Sequence, residues 1–276
     1  MRHAAGGAAC GTLRVGLIGG PSGPGGPREE VRTAMNETGL ARRSAAFLDY
    51  LDQLVAGLPE ASLREVIERA GGPQRVAVVV VDVINGFCKF GSLASERVGQ
   101  IVAPTARLLE AARDLGVTRV AVLRDSHHPE APEFEQFAPH CQDGTAEAAL
   151  VDELAGLSHA HTFADFPKNS ISAWHGHDAV SDWVARQEEE GVSTFVVCGD
   201  CTDLCVHQTA MALKLTANAR NRRTSVVVSA ETVETYDLPV DVAQRLGAMP
   251  HDGDLLHAVF LYHLQLNGVQ VVRRLA

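Results

Sequence analysis

The sequence predicts a doubly wound α/β fold: a mostly parallel six-stranded sheet with helices on both faces, preceded by a helical N-terminal extension. Three observations carry this. From about residue 75 onward, strand-sized apolar runs alternate with segments of helical periodicity. Val76-Ala77-Val78-Val79-Val80-Val81 is apolar without interruption, as a central parallel strand covered on both faces must be. Polar residues with chemical potential follow directly after several of these runs, at the carboxyl edge where such sheets bind ligands.

Taken in order, residues 1–34 are rich in Gly, Pro and Ala, cannot bury much surface, and are expected to be disordered. Met35 follows as a candidate second translation start, which mass spectrometry of the native N-terminus would decide. Residues 35–74 form the expected helical extension. Phe47, Leu48, Leu51, Leu54, Val55 and Leu58 recur at helical spacing, and Ser62-Leu63-Arg64-Glu65 is a capping box opening a second helix that stops before Gly71-Gly72-Pro73. The α/β domain then spans 75–276. Strands are expected at 76–81, 119–123, 161–163 (weakly), 194–198, 225–229 and 269–272. Helices are expected at 97–115, 147–157, 179–190, after Cys205, and at 255–266. No internal repeat is evident.

Composition narrows the function classes. With 276 residues, 46% hydrophobic and 21% charged, the chain suits a globular protein with one sizeable core. A net charge of −10 and the lack of a Lys/Arg stripe argue against nucleic acid as a partner. The six cysteines lack the spacing of a secreted disulfide scaffold. The longest apolar runs are strand-sized, so no membrane partner is expected. Residues 12–19 are apolar but broken by glycines and followed by no clear cleavage site, which argues against a signal peptide and for a cytoplasmic protein.

The segment 196–210, Val-Val-Cys-Gly-Asp-Cys-Thr-Asp-Leu-Cys-Val-His-Gln-Thr-Ala, reads as a buried strand, a tight turn and the first turn of a helix, with Cys205 just inside it. Unpaired N–H groups and the helix dipole favour a thiolate there, so Cys205 is a candidate nucleophile; the alternative is a small buried apolar residue. Asp82 follows the first strand and Lys168 the third. Singly, Asp82 reads as a loop carboxylate capping a backbone N–H and Lys168 as solvated surface. Together with Cys205, each lies just past a different parallel strand, where a carboxylate could take the thiol proton beside an ammonium.

A second cluster is Asp125-Ser126-His127-His128-Pro129, with Glu133 and then Pro139-His140-Cys141. Asp125, His127 and His140 make a carboxylate and two imidazoles suited to zinc, iron or manganese, with Glu133 as a fourth ligand, directly or through water; a solvated His-rich loop is the alternative. Cys198, Cys201, Cys205 and His207 superficially resemble a structural zinc site, but Cys198 falls in a buried strand and no second ligand pair follows.

The residues 81–88 (Val-Asp-Val-Ile-Asn-Gly-Phe-Cys), Asp125-Ser126-His127-His128-Pro129, Pro139-His140-Cys141, Lys168 and 199–206 (Gly-Asp-Cys-Thr-Asp-Leu-Cys-Val) together resemble the isochorismatase-like cysteine hydrolases, and among them most the nicotinamidases of the plant type. The likeness extends over roughly 75–276, including Thr235-Tyr236-Asp237-Leu238-Pro239 and Gln270-Val271-Val272. It implies hydrolysis of nicotinamide to nicotinate and ammonia through a thioester, in NAD salvage, with pyrazinamide also accepted. It implies Cys205 as nucleophile, Asp82 as general acid/base and Lys168 as charge partner. A cis peptide is implied at Asp200–Cys201, with an oxyanion hole from the N–H groups of Cys201 and Cys205. One divalent ion per chain, zinc first and iron or manganese next, is implied on Asp125, His127 and His140, with Glu133 ligating directly or through water; the ion would hold the pyridine nitrogen. Phe87 and Phe137 would flank the ring. Phe137 stands where many of these enzymes carry Trp, and Asn85 replaces a frequent Gln, so pocket shape departs from the common pattern. A small-molecule substrate and a homo-oligomer are expected. The rivals are an amidohydrolase of the same fold acting on a ureido or carbamoyl substrate, which generally lacks the Asp-x-His…His set, and a non-enzymatic binding protein, which predicts loss of a triad residue.

Overall fold

The computed structural model describes residues 39–176 and 178–275, so the expectation for 1–34 lies outside the described residues. The chain divides into two units, Met1–Leu48 and Asp49–Ala276, and the second holds the sheet. Six strands, β1 (Val76–Val81), β2 (Arg119–Asp125), β3 (Ala164–Lys168), β4 (Thr194–Asp200), β5 (Ser225–Glu234) and β6 (Gln270–Val272), pair in the order β3-β2-β1-β4-β5-β6, every pair parallel. The longer helices are α1 (Leu40–Ala56), α2 (Leu63–Ala70), α3 (Val102–Asp114), α4 (Ala179–Glu189), α5 (Cys205–Ala219) and α6 (Gly253–Leu266). This is the doubly wound fold that the sequence predicts.

Alternation along β1 separates two cores. Val76, Val78 and Val80 face a layer that includes Leu63, Val66 and Ile67 of α2 and Leu108 and Leu109 of α3. Ala77, Val79 and Val81 face the layer of Val180 and Val184 on α4, Val206 and Leu213 on α5, and Leu261 and Leu264 on α6. A Leu→Ala change in either layer costs about 2–5 kcal/mol. The capping box at the start of α2 is present, Ser62 and Glu65 bonding reciprocally.

Three elements differ from expectation. The third strand is Ala164–Lys168, while Ala160–Thr162 forms a 3-10 turn. Pro167 and the charges of Asp165 and Lys168 hide this strand in the sequence; at the sheet edge its missing N–H costs no ladder bond. The helix expected at 97–115 is broken into Glu96–Gly99 and α3, with Pro104 in the first turn of α3, where proline is tolerated. Of 147–157 only Asp152–Ala155 is helical. The preceding residues instead bond to the chain after β1, Asn85 N–H to Ala149 O at 2.9 Å and Gly86 N–H to Glu147 O at 2.9 Å.

Strands β1, β2 and β3 run outward one way and β4, β5 and β6 the other, so the topological switch falls between β1 and β4. There Gly199 sits at φ +125°, and a Cβ on it would collide with the Val81 carbonyl oxygen. Only glycine lets β4 approach β1 this closely.

Candidate functional site

Beyond the carboxyl ends of β1, β2, β3 and β4, charged side chains meet in a place sealed from water. Asp82 follows β1 in the left-handed region, at φ +55°, a conformation Asp tolerates better than most residues. This turns its carboxylate toward β2. Asp82 Oδ1 accepts the Asp125 N–H at 2.7 Å, and Oδ2 lies 2.8 Å from Lys168 Nζ. The carboxylate thus caps a backbone N–H and also pairs with a charge. Asp125 and Lys168 end β2 and β3 in register, and their side chains bond directly. Lys168 Nζ also lies 3.5 Å from Cys205 Sγ, the first residue of α5. Asp82, Asp125, Lys168 and Cys205 are 0%, 2%, 3% and 6% exposed, which rules out a solvated-surface reading of Lys168. Oxygens of Asp82 and Asp125 and the Cys205 sulfur all lie within 4.8 Å of one another.

Burial and the neighbouring charges together set the charge states. Desolvation, then the charge of Asp125, raises Asp82 to about 6 against the pull of Lys168. Burial opposes the charge on Lys168, but Asp125 and Asp82 outweigh it and keep the ammonium. For Asp125 burial works upward, and Lys168 with the imidazoles of His127 and His140 holds it down. The Cys205 thiol is pushed well above its ordinary value, first by burial; Lys168 opposes and the two carboxylates add to the rise. The expected resting thiolate is therefore a resting thiol with a carboxylate within reach. The peptide Asp200–Cys201 is cis. The N–H groups of Cys201 and Cys205 have no hydrogen-bond partner among the described residues.

Beside this cluster the chain returns on itself, His127 N–H bonding Cys141 O at 2.9 Å, which brings His140 back to Asp125. His127 Nε2 lies 3.3 Å from Asp125 Oδ2 and 3.8 Å from Glu133 Oε1, and His140 Nε2 lies 3.7 Å from Asp125 Oδ2. His140 Nδ1 is bonded to Ala138 O at 2.8 Å, which aims the other nitrogen at the group. His127 Nε2 is buried without a hydrogen-bond partner. Three ligand atoms converge where an imidazole nitrogen lacks a partner, and a borderline divalent cation fits that donor set. His128, by contrast, is exposed, its Nδ1 accepting the Glu130 N–H at 3.1 Å. The alternative cysteine site does not assemble: Cys198 Sγ donates to Val79 O at 3.8 Å in one core, Cys205 lies in the other, and His207 Nε2 pairs with His263 Nδ1 at 2.9 Å.

Aromatic rings ring His140: Phe87 at 5.6 Å and Phe137 at 6.3 Å between centroids. Sequence reasoning missed Phe134, which is 5.6 Å from His140 and 5.5 Å from His127. Its spacing of three from Phe137, beside Glu133, was the available signal. It also missed Asp200, whose buried carboxyl is pushed well above its ordinary value by desolvation and then by Asp82 and Asp125.

The sequence pattern of the isochorismatase domain matches residues 76–216. Nicotinamidase 1 of Arabidopsis thaliana is 35% identical over 222 residues, 73% of this chain and 86% of that protein. A nicotinamidase/pyrazinamidase of Mycobacterium tuberculosis is 30% identical over 149 residues, 49% of this chain and 76% of that protein. Among solved structures, a nicotinamidase from Bacillus subtilis superposes with a TM-score of 0.55 at 25% identity, covering 72% of this chain and 99% of its own.

Proposed function

The chain belongs to the isochorismatase family, and we propose that it is an amidohydrolase that converts nicotinamide to nicotinate and ammonia. The observation that carries the reading is one ammonium, Lys168, held between a carboxylate at 2.8 Å and a thiol at 3.5 Å. That trio stands next to a carboxylate–imidazole cluster ringed by phenylalanines.

Asp82 takes the proton of the Cys205 thiol as sulfur attacks the carboxamide carbon, and Lys168 stabilises the sulfur as charge develops on it. The N–H groups of Cys201 and Cys205 receive the oxyanion. Asp82 returns the proton to the nitrogen, ammonia leaves, and a thioester remains on Cys205. Asp82 then removes a proton from water, water adds to the thioester, and nicotinate departs with the thiol restored. Asp125, His127 and His140, with Glu133 beside them, would hold a divalent ion, zinc in our reading, which when bound supplies a Lewis acid for a pyridine nitrogen. Phe87, Phe134 and Phe137 wall the ring space against water. Pyrazinamide, which keeps that nitrogen and the carboxamide, fits the same space. The product suits a role in salvage of pyridine nucleotides, and the five free cysteines among the described residues, all buried, suit a cytoplasmic setting.

The test is ammonia release from nicotinamide by the full chain, with and without a chelator. Turnover that the chelator suppresses supports the reading. Turnover of a ureido substrate and none of nicotinamide would overturn it.

A further inference from the structure

We propose that Asp203, with Thr235 and His251, forms a positioning clamp that fixes the turn carrying the nucleophile and its two backbone donors. This rests on the hydrolase reading above.

Residues 201–204 join the end of β4 to Cys205, the first residue of α5. The turn bonds to itself through Leu204 N–H and Val206 N–H to Cys201 O, at 3.0 and 3.1 Å, and to β5 through Thr202 N–H to Glu234 O at 3.0 Å. Thr202 Oγ1 also lies 2.9 Å from His257 Nδ1, and the next residue is tied by the Asp203 side chain, which is only 8% exposed. Its Oδ1 accepts from the Thr235 hydroxyl at 2.5 Å, and its Oδ2 lies 2.8 Å from His251 Nε2. The other imidazole nitrogen, Nδ1, lies 2.9 Å from the Tyr236 carbonyl oxygen, and the ring stacks on Tyr236 at 3.8 Å and 20°. Both nitrogens of His251 therefore face oxygens, and the ring ties the turn to the chain just after β5. Burial opposes the charge on Asp203, and hydrogen bonds from His251 and Thr235 outweigh it, holding the carboxyl below its ordinary value.

The clamp explains two stretches that the reaction itself does not use, Thr235-Tyr236 and His251. Among the described residues none of the three side chains makes a hydrogen bond or ion pair to Asp82, Lys168 or Cys205. With both ring nitrogens engaged, neither is left to meet a substrate. What the clamp controls is where the N–H groups of Cys201 and Cys205 point. Donors to an oxyanion act only at hydrogen-bond distance, and losing one costs on the order of a hundredfold or more in kcat.

The experiment compares full-length wild type with Thr235→Val, Thr235→Ser and Asp203→Asn. It measures kcat and KM for nicotinamide, iodoacetamide alkylation of Cys205, and amide hydrogen exchange of residues 201–205. Thr235→Val keeps the shape without the hydroxyl, and Thr235→Ser keeps the hydroxyl. Thr235→Val and Asp203→Asn should lower kcat about ten- to a hundredfold, with KM within about twofold because the ring is held elsewhere. Exchange in the turn should quicken about tenfold, alkylation should stay within a few-fold, and Thr235→Ser should behave as wild type. Unchanged kcat and exchange in folded Thr235→Val and Asp203→Asn would overturn the clamp. So would kcat, KM and alkylation all falling in proportion to lost folded protein. A wild type that releases no ammonia from nicotinamide would sink the substrate reading instead, and exchange in the turn would still decide the clamp.

Discussion

The two halves of the sheet bring different materials to the same edge. The β1–β2–β3 half delivers charge on side chains: Asp82, Asp125 and Lys168, each at a strand end, with His127 and His140 alongside. The β4–β5 half delivers one neutral thiol and backbone N–H groups on a turn, held by Thr235 and His251 behind it. The first half supplies electrostatics and the second supplies direction. A charge tolerates small displacement because its field falls slowly with distance; a hydrogen-bond donor does not. Substitutions on the two sides should therefore fail differently.

The largest expected effect is on the directional side. Cys205→Ala removes the only atom able to form the thioester, and kcat should fall on the order of 10⁴-fold or more. Melting should stay within a few degrees, because the side chain is small. An active Cys205→Ala beside an inactive Cys201→Ala would reverse the assignment of the two thiols.

Next comes the charged side. Lys168→Met leaves Asp82 and Asp125 without the ammonium between them and withdraws the cation that lies beside Cys205. The loss should appear in kcat, about a hundredfold or more, with little change in KM. A Lys168→Met enzyme within a few-fold of wild type, with unchanged alkylation of Cys205 across pH, would take Lys168 out of the chemistry.

The same contrast governs what the sequence made legible. The charged half could be read because its residues announce themselves by type and position: an acid after a Val-rich strand, Asp-x-His after the next, and a lysine after the third. Lys168 was placed correctly even though its strand, hidden by Pro167, was expected several residues early. The directional half was read less fully. A backbone donor has no residue signature, so the oxyanion pair entered only through family resemblance. The partners of Asp203 lie 32 and 48 residues away along the chain, and no local periodicity encodes such pairings. The thiolate expectation failed for a related reason: the helix start is visible in sequence, whereas the burial that outweighs it is not.

Smaller in effect is the carboxylate–imidazole cluster, which acts on binding. Purified protein should carry about one zinc, iron or manganese ion per chain. His127→Ala should lose it and raise KM about tenfold, ~1.4 kcal/mol, as should chelation of the wild type. Elemental analysis showing stoichiometric metal retained in an Asp125/His127/His140 triple alanine variant would move the ion elsewhere.

The smallest effect tests the comparison most sharply, because it falls on a residue at the centre of the directional half. Cys201 contributes an N–H to the turn, and alanine keeps that N–H. Its sulfur lies 3.8 Å from Asp200 Oδ1. Burial, then the charges of Asp200 and Asp203, push its thiol well above the ordinary range, and the Lys168 ammonium contacts the Cys205 sulfur instead. Asp200, its carboxyl pushed well above the ordinary range by burial, keeps a contact to Cys88 Sγ at 4.0 Å when the Cys201 sulfur is removed. Cys201→Ala should therefore cost about 1 kcal/mol of packing, seen as a few degrees of melting temperature, with kcat within about threefold of wild type. A hundredfold loss of kcat in folded Cys201→Ala would mean that the thiol itself, and not the backbone beside it, takes part in the reaction. The division between a charged half and a directional half would then fail at its centre.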